Sequence, residues 1–162
     1  MPLSARGRIP TYCSTRCRVA AHRKRKAEAI PLELRSLARW TRRDGKRPIT
    51  LTGRAASSTD PATWSTFAEA STSKAGDGLG IMLGDGLACF DLDHCLNDGK
   101  LTDPRAAVLL RTVRPIYTEV SMSGDGLHLF VRAPEAPGYK RDGIEFYSRA
   151  RFIAVTGLRW GG

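Results

Sequence analysis

The feature that most constrains the fold is a change in the spacing of apolar residues near Gly76. From that point onward, short apolar runs alternate with turns that contain Gly, Asp or Pro, which is typical of β-strands. The runs that we predict to be strands are 80–84, 87–93, 116–121, 127–131, 144–147 and 152–155. One helix, residues 103–113, interrupts them, with Asp103 as N-cap and Pro104 in its first turn. This order predicts an α/β (α+β) fold, in which the short connections favour antiparallel pairing.

The turn sequence Gly84-Asp85-Gly86 is the clearest local signal in this region. An Asp-Gly pair between two apolar runs is typical of a β-hairpin. We therefore predict that strands 80–84 and 87–93 pair with each other.

The first 75 residues carry helical and loop patterns instead. We predict a helix over 16–28, a helical stripe within 31–40, a loop over 41–61 and a second helix that starts near Asp60 or Pro61. The apolar residues behind these two predictions are Leu32, Leu34, Leu37 and Trp40 for the stripe, and Trp64, Phe67 and Ala68 for the second helix. The patterns divide the chain into a basic arm, residues 1–28, and one domain, residues 30–162.

Basic charge is concentrated at the N-terminal end. The chain has a formal charge of +10, and residues 1–54 hold 15 Lys or Arg against three Asp or Glu. The remainder holds 11 basic and 13 acidic residues, so a cationic front is attached to a near-neutral body. This division predicts a polyanionic partner contacted through its phosphates. The arm residues that we predict for this contact are Arg16, Arg18, Arg23, Lys24, Arg25 and Lys26.

No apolar stretch approaches the roughly 20 residues of a membrane span. The basic N-terminus has no apolar segment behind it, which argues against a secretory signal. We therefore predict a cytoplasmic protein with no membrane contact.

The sharpest local motif is Asp91-Leu-Asp93 in a predicted strand. Alternate strand residues share a face, so the two carboxylates project together, about 6–7 Å apart along the chain. Such a pair can hold a divalent cation, or it can be a solvated strand end, and the residues alone leave both interpretations open. A calcium loop is excluded because neither Asp is followed by glycine at the required sixth position.

A glycine-containing turn, residues 121–126, precedes an apolar strand, and His128 lies near the start of that strand. Its backbone N–H groups could approach an anion closely, and the imidazole could donate to a phosphate oxygen. The alternative is an ordinary hairpin turn followed by a core histidine, and the turn taken alone favours that alternative.

Glu145 is an acid between the apolar strand residues Ile144 and Phe146. An ion pair with Arg149 or Arg151 on the solvent face is one interpretation. The other is that Glu145 faces Asp91 and Asp93 and completes a three-carboxylate site for a hard cation.

The order of the three motifs is more informative than any one of them. Asp-x-Asp, then Ser-Gly-x-Gly-x-His, then an acid on a strand followed by arginines resembles the archaeo-eukaryotic primase superfamily. Specifically, it resembles the bifunctional DNA primase/polymerase domains of phages and plasmids. Segments 30–64 and 145–157 add to the resemblance, which covers about residues 30–157.

The resemblance implies a two-layer fold with a mixed, RNA-recognition-motif-like sheet. It implies nucleotidyl transfer from NTP or dNTP by two metal ions, Mg²⁺ or Mn²⁺, on a single-stranded DNA template in phage or plasmid replication. The implied catalytic and metal-binding residues are Asp91, Asp93 and Glu145, and the implied nucleotide-binding residues are Ser123, Gly124 and His128. Further candidates for triphosphate or template contacts are Lys46, Lys140, Arg149 and Arg151. A replicative helicase is the implied partner.

Cys13, Cys17 and His22 in the arm resemble the second half of a small zinc ribbon. A structural zinc site usually needs four protein ligands, and the first cysteine pair is missing here. The pattern leaves zinc binding open: it favours a chain that binds no zinc by itself, or one that is truncated at its start relative to a longer protein.

Two other functions are compatible with the same residues. A non-catalytic nucleic-acid-binding protein could keep a degenerate primase fold, and a metal-dependent nuclease could use the same carboxylates. The chain ends five residues after Gly157, which raises the prospect of a C-terminally truncated domain, a split subunit or an inactive remnant.

Overall fold

The structure is a computed structural model that describes residues 14–161, with the backbone alone at 22–28. Its α-helices are α1 (Thr15–Ala29), α2 (Leu32–Arg35), α3 (Phe67–Thr72) and α4 (Pro104–Thr112). The first six strands are β1 (Trp40–Asp44), β2 (Arg47–Ile49), β3 (Gly78–Met82), β4 (Leu87–Leu92), β5 (Leu96–Asn97) and β6 (Lys100–Leu101). The others are β7 (Tyr117–Val120), β8 (Leu127–Arg132), β9 (Tyr139–Arg141), β10 (Ile144–Tyr147) and β11 (Phe152–Val155).

The strands form two larger sheets and one small ribbon. The four-stranded sheet has the order β11-β3-β1-β2, and the five-stranded sheet has the order β7-β8-β4-β10-β9. Strands β5 and β6 pair separately. All pairings between these strands are antiparallel within the described part of the chain, so the prediction of a mixed sheet is wrong.

The five-stranded sheet contains a split βαβ unit, as in a two-layer α+β fold. Strand β4 leads through α4 to β7, and β8 is inserted between these two parallel-running strands. Because β8 separates them, no parallel pair forms. Between β8 and β10 the chain forms β9 in place of a second helix. The predicted α+β class is confirmed.

The main core lies between the two large sheets. Trp40 and Ile81 from the four-stranded sheet pack with Phe130 and Cys89 from the five-stranded sheet, and all four are fully buried. The opposite face of the five-stranded sheet packs against α4, through residues such as Ala106. Strands β4 and β8 are therefore covered on both sides and hold their side chains in fixed positions.

The predicted hairpin of 80–84 with 87–93 is wrong, although its turn is present. The Leu87 N–H donates to Gly84 O at 3.0 Å, and Asp85 and Gly86 both have positive φ, as a tight hairpin turn requires. The flanking strands diverge, however, because β3 pairs with β1 and β11 while β4 pairs with β8 and β10. The turn instead passes the chain from one sheet to the other.

The loop predicted over 41–61 contains β1 and β2, and the predicted helical stripe ends at Arg35. Trp40 is buried as a strand residue, and its indole N–H donates to Leu34 O at 3.0 Å. The second helix is also displaced. Asp60 caps only a short 3-10 turn, Pro61–Thr63, whereas Thr66 and Glu69 form the capping box that starts α3.

Candidate active site

Five polar side chains lie side by side across the five-stranded sheet. In the strand register Glu119 is opposite His128, His128 is opposite Asp91, Asp91 is opposite Glu145, and Glu145 is opposite Lys140. Residues directly opposite one another point to the same face of a sheet. We call these five residues the polar row. The polar row lies on the sheet face that is directed towards the four-stranded sheet.

A cavity of about 490 Å³ lies beside this row, between the two sheets. The five-stranded sheet contributes Asp91 and His128 to its lining, and the following loop contributes Asp93. The other wall is formed by the β1–β2 turn and by β11 with the residue before it, which bring in Lys46 and Arg151. We call this cavity the cleft. Acidic groups are therefore gathered on one side and basic groups on the other.

Most of the residues predicted for catalysis and nucleotide binding line the cleft. Its lining includes Asp91, Asp93, Ser123, His128, Lys46 and Arg151. Glu145 is placed next to Asp91 by register, although it does not line the cleft itself. Gly124 and Arg149 are not part of the lining: both are exposed, Gly124 in the turn before β8 and Arg149 in the turn before β11.

Asp91 lies at the centre of the polar row, and its side chain is 25% exposed. Burial raises the pKa of this carboxyl group, and the nearby charges of Asp93 and Glu145 raise it further, whereas His128 and Arg151 oppose the shift. Negative charge is thus concentrated where water is partly excluded. A cation placed there would relieve the repulsion.

Glu145 is buried and already has two donors. Its carboxylate accepts hydrogen bonds from the Lys140 ammonium and, at 2.6 Å, from the Tyr147 hydroxyl. These two bonds, that of Lys140 first, hold the pKa of Glu145 below its usual value. The Lys140 Nζ also lies 4.0 Å from Asp93 Oδ2, so one ammonium faces two of the three predicted carboxylates.

Glu119 is a functional candidate that the sequence analysis missed. The side chain is 0% exposed, and its carboxylate accepts hydrogen bonds from the backbone N–H groups of Thr156 at 3.0 Å and Gly157 at 2.9 Å. The His128 Nδ1 lies 3.1 Å from Glu119 Oε1 and donates to it, which leaves Nε2 facing Asp91 Oδ1 at 3.7 Å. Glu119 therefore fixes the orientation of the imidazole.

His94 is a second missed residue at the mouth of the cleft. Its Nδ1 is 2.5 Å from Asp125 Oδ2, and Asp125 also accepts a hydrogen bond from the Ser123 hydroxyl. The hydrogen bond with Asp125 raises the pKa of His94. Asp125 thus links the Ser123 turn to the loop that carries Asp93. Only the strand register or the turn geometry brings Glu119 and His94 to the site, and neither is visible in the sequence.

Comparison with known proteins identifies the family of the chain. The family model described as "Bifunctional DNA primase/polymerase, N-terminal" matches residues 18–157. This chain belongs to the Prim-Pol family. The match includes the whole polar row and every cleft residue named above.

Among known Prim-Pol relatives, a DNA primase-polymerase of Nitratiruptor phage NrS-1 is 37% identical over 118 residues. The aligned segment is 65% of this chain and 16% of the phage protein. The family prediction is therefore confirmed, and the chain corresponds to a small part of the relative's length.

The carboxylates of this Prim-Pol domain suit a hard divalent cation in their chemistry. Asp91, Asp93 and Glu145 offer oxygen ligands, and the pKa of Asp91 is raised first by burial and then by the charges of Asp93 and Glu145, which a bound cation would offset. Among the side chains that the structure describes, no group of three His, Cys, Asp or Glu is arranged to hold a metal ion. Glu145 is engaged by Lys140 and Tyr147 instead.

The basic arm is described in part. Arg16 and Arg18 are exposed on α1, and α1 covers the predicted helix 16–28 to within one residue at each end. Cys17 is partly buried. The zinc prediction also involves Cys13 and the side chain of His22, which lie outside the described residues, as do the side chains of Arg23, Lys24, Arg25 and Lys26. No helix in the described part of the chain is long and apolar enough to cross a membrane.

Proposed function

We propose that this Prim-Pol chain is a nucleotidyl-transfer domain that extends or starts a nucleic-acid strand on a single-stranded DNA template. The observation that carries the proposal is the cleft itself. It sets Asp91 and Asp93 opposite Lys46 and Arg151, and His128 lies beside Asp91 on the neighbouring strand β8. A polymerising site needs this division, because it must bind both cations and an anionic triphosphate.

Asp91 and Asp93 are the proposed ligands of Mg²⁺ or Mn²⁺, and Glu145 is the proposed third ligand. These carboxylates would hold a pair of such ions, whose positive charge would stabilise negative charge on the attacking and leaving oxygens. The protein's own contribution is to hold the carboxylates in fixed strand positions. Leu92 and Phe90, which flank Asp91, pack on the opposite side of the sheet, so the carboxylate cannot turn away from the cleft without breaking the core.

The basic and hydroxyl groups of the cleft are the proposed nucleotide contacts. Lys46 and Arg151 would neutralise the triphosphate, and the Ser123 hydroxyl would donate to its oxygens. His128 would donate to them from Nε2 as an imidazolium, since Nδ1 already donates to Glu119. A volume of about 490 Å³ is within the range of small-molecule sites.

The exposed Arg16 and Arg18 of α1 are proposed to hold template phosphates without regard to sequence. A replicative helicase partner and a cytoplasmic location remain predictions from the family resemblance and from the sequence.

The test is template-directed nucleotide incorporation with Mg²⁺ or Mn²⁺. We expect the wild type to incorporate nucleotides, and the double variant Asp91→Asn, Asp93→Asn to lose at least ~100-fold in rate while it still binds the template. Asp98→Asn is the matched control, since Asp98 is an exposed acid outside the cleft, and it should behave as wild type.

Other outcomes would identify another function. Equal inactivity of the wild type and the double variant, with equal DNA binding, would favour a non-catalytic binding protein. Degradation of DNA without added nucleotides, lost in the double variant, would favour a nuclease.

A further inference from the structure

Lys140 occupies an unusual position for a surface lysine. It belongs to β9, an edge strand whose three residues are all exposed, and its own side chain is 66% exposed. Its ammonium nevertheless turns back over the sheet to the buried Glu145 and lies 4.0 Å from Asp93. The side chain of the preceding residue, Tyr139, lies on the other face of the sheet, where it stacks on Phe146.

The position of this ammonium coincides with the place where carboxylate charge is concentrated. Asp91 interacts electrostatically with Asp93 and with Glu145, and Lys140 contacts these last two. A lysine ammonium is a compact point charge on a flexible stem, so it can compensate a carboxylate and leave again without a change of backbone. Tyr147 would continue to donate to Glu145 after such a departure.

We propose that Lys140 is an internal counter-ion that competes with the divalent cation for Glu145. In the metal-free domain it neutralises Glu145 and Asp93, and it moves out to solvent when the cation binds. This inference rests on the proposed metal site. The contact between the Lys140 ammonium and Glu145 is the one that a cation would have to displace.

The experiment measures Mn²⁺ binding to the full chain without nucleotide, from the paramagnetic resonance signal of the free ion. We expect Lys140→Met to bind Mn²⁺ roughly fivefold more tightly than the wild type, because the competing charge is gone. Lys140→Arg keeps the charge and should stay within about twofold of the wild type. Both substitutions are on an exposed edge strand, so neither disturbs the core.

Arg141→Met is the matched control for net charge. Arg141 is the next residue of β9, is exposed and lies 3.4 Å from Asp142 at the turn. Its removal subtracts the same charge from the protein but leaves the polar row intact, so Mn²⁺ affinity should stay close to that of the wild type. Unchanged or weaker Mn²⁺ binding in Lys140→Met would overturn the proposal, and so would equal tightening in Arg141→Met.

The double variant Asp91→Asn, Asp93→Asn separates this inference from the proposed function. If that variant binds Mn²⁺ as the wild type does, the cation is not held in the cleft, and both proposals fail. If it loses Mn²⁺ while Lys140→Met equals the wild type, the metal site stands and the role of Lys140 is refuted. Absence of Mn²⁺ binding in every protein, Lys140→Met included, also refutes it.

Discussion

The two ends of the polar row are built differently. At one end Glu119 is completely buried and is held by the backbone amides of Thr156 and Gly157. At the other end Glu145 is held by the flexible side chain of Lys140 on an exposed edge strand, and by the Tyr147 hydroxyl. We call Glu119 the fixed end, because backbone amides hold it and it orients His128. We call Glu145 with Lys140 the adjustable end, because there the proposed exchange of the Lys140 ammonium for a divalent cation takes place. One site can therefore combine a rigid part with a part that rearranges.

The largest expected effect comes from the fixed end. Glu119→Ala would leave the buried N–H of Gly157, the partly buried N–H of Thr156 and the His128 ring without their acceptor. We expect it to lower the free energy of unfolding by roughly 3 kcal/mol. Urea denaturation measures this loss. Glu135→Ala is the matched control, because Glu135 is exposed and accepts one backbone hydrogen bond, from Asp85, and it should cost no more than about 0.5 kcal/mol. Similar losses in both variants would contradict the contrast between a fixed end and the rest of the protein.

Asp91→Asn and Glu145→Gln should change the free energy of unfolding in opposite directions, although the two carboxylates face each other in the polar row. Asp91 has a raised pKa, so its charge destabilises the fold as pH rises through that pKa, and Asp91→Asn should stabilise the protein at pH 7 by roughly 0.2–1 kcal/mol. Glu145 has a lowered pKa, so its charge contributes stability above the unfolded value of 4.5 that is lost as pH falls through the folded pKa. Glu145→Gln should therefore destabilise the protein at pH 7.

Urea midpoints at several pH values check this pair of predictions. Both differences from the wild type should shrink as the solution is acidified, since each carboxyl group is then protonated in the folded and unfolded states alike. A destabilising Asp91→Asn at pH 7 would show that the charge of Asp91 is compensated in the metal-free protein.

The smallest expected effect is that of Lys140→Met on stability. The side chain is mostly exposed, and ion pairs of this kind contribute about 1 kcal/mol or less. We expect the urea midpoint to move little, and to move less at high salt, which screens the pair. A loss comparable to that of Glu119→Ala would mean that the adjustable end is as rigid as the fixed one.

Much of the site could be predicted from the sequence because its signals are local. Asp91 and Asp93 share a face by strand alternation, and the glycine-containing turn before His128 is visible as a turn. The strands β7, β8, β10 and β11 were predicted to within two residues at either end, since their apolar residues face a core. These features need no knowledge of which strand lies beside which.

What could not be predicted depends on pairing between distant segments. Strand β1 was missed because Thr41-Arg-Arg-Asp44 is polar, and it forms a strand because β2 and β3 pair with it on both sides. In the sequence, Glu119 looks like an ordinary strand charge and Lys140 like a surface charge or a phosphate contact. Only the strand register places them beside His128 and Glu145. The hairpin prediction was wrong for the same reason: the turn is encoded locally, but the partners of its strands are not.

The route of the chain between the two sheets has a mechanical consequence. Two short connections join them, 83–86 and 148–151, and these lie side by side, with the Leu83 N–H donating to Arg151 O at 2.8 Å. Together they define an axis along one side of the cleft. Lys46 directly precedes the edge strand β2, which is three strand positions, or roughly 14 Å, from β11. If the four-stranded sheet tilted about this axis, Lys46 would lie far from the axis and Arg151 would lie on it. A tilt of about 10° would move Lys46 by roughly 2.5 Å and leave Arg151 nearly still. The packing of Trp40 and Ile81 against Phe130 resists that tilt, so buried residues that do not line the cleft determine its width.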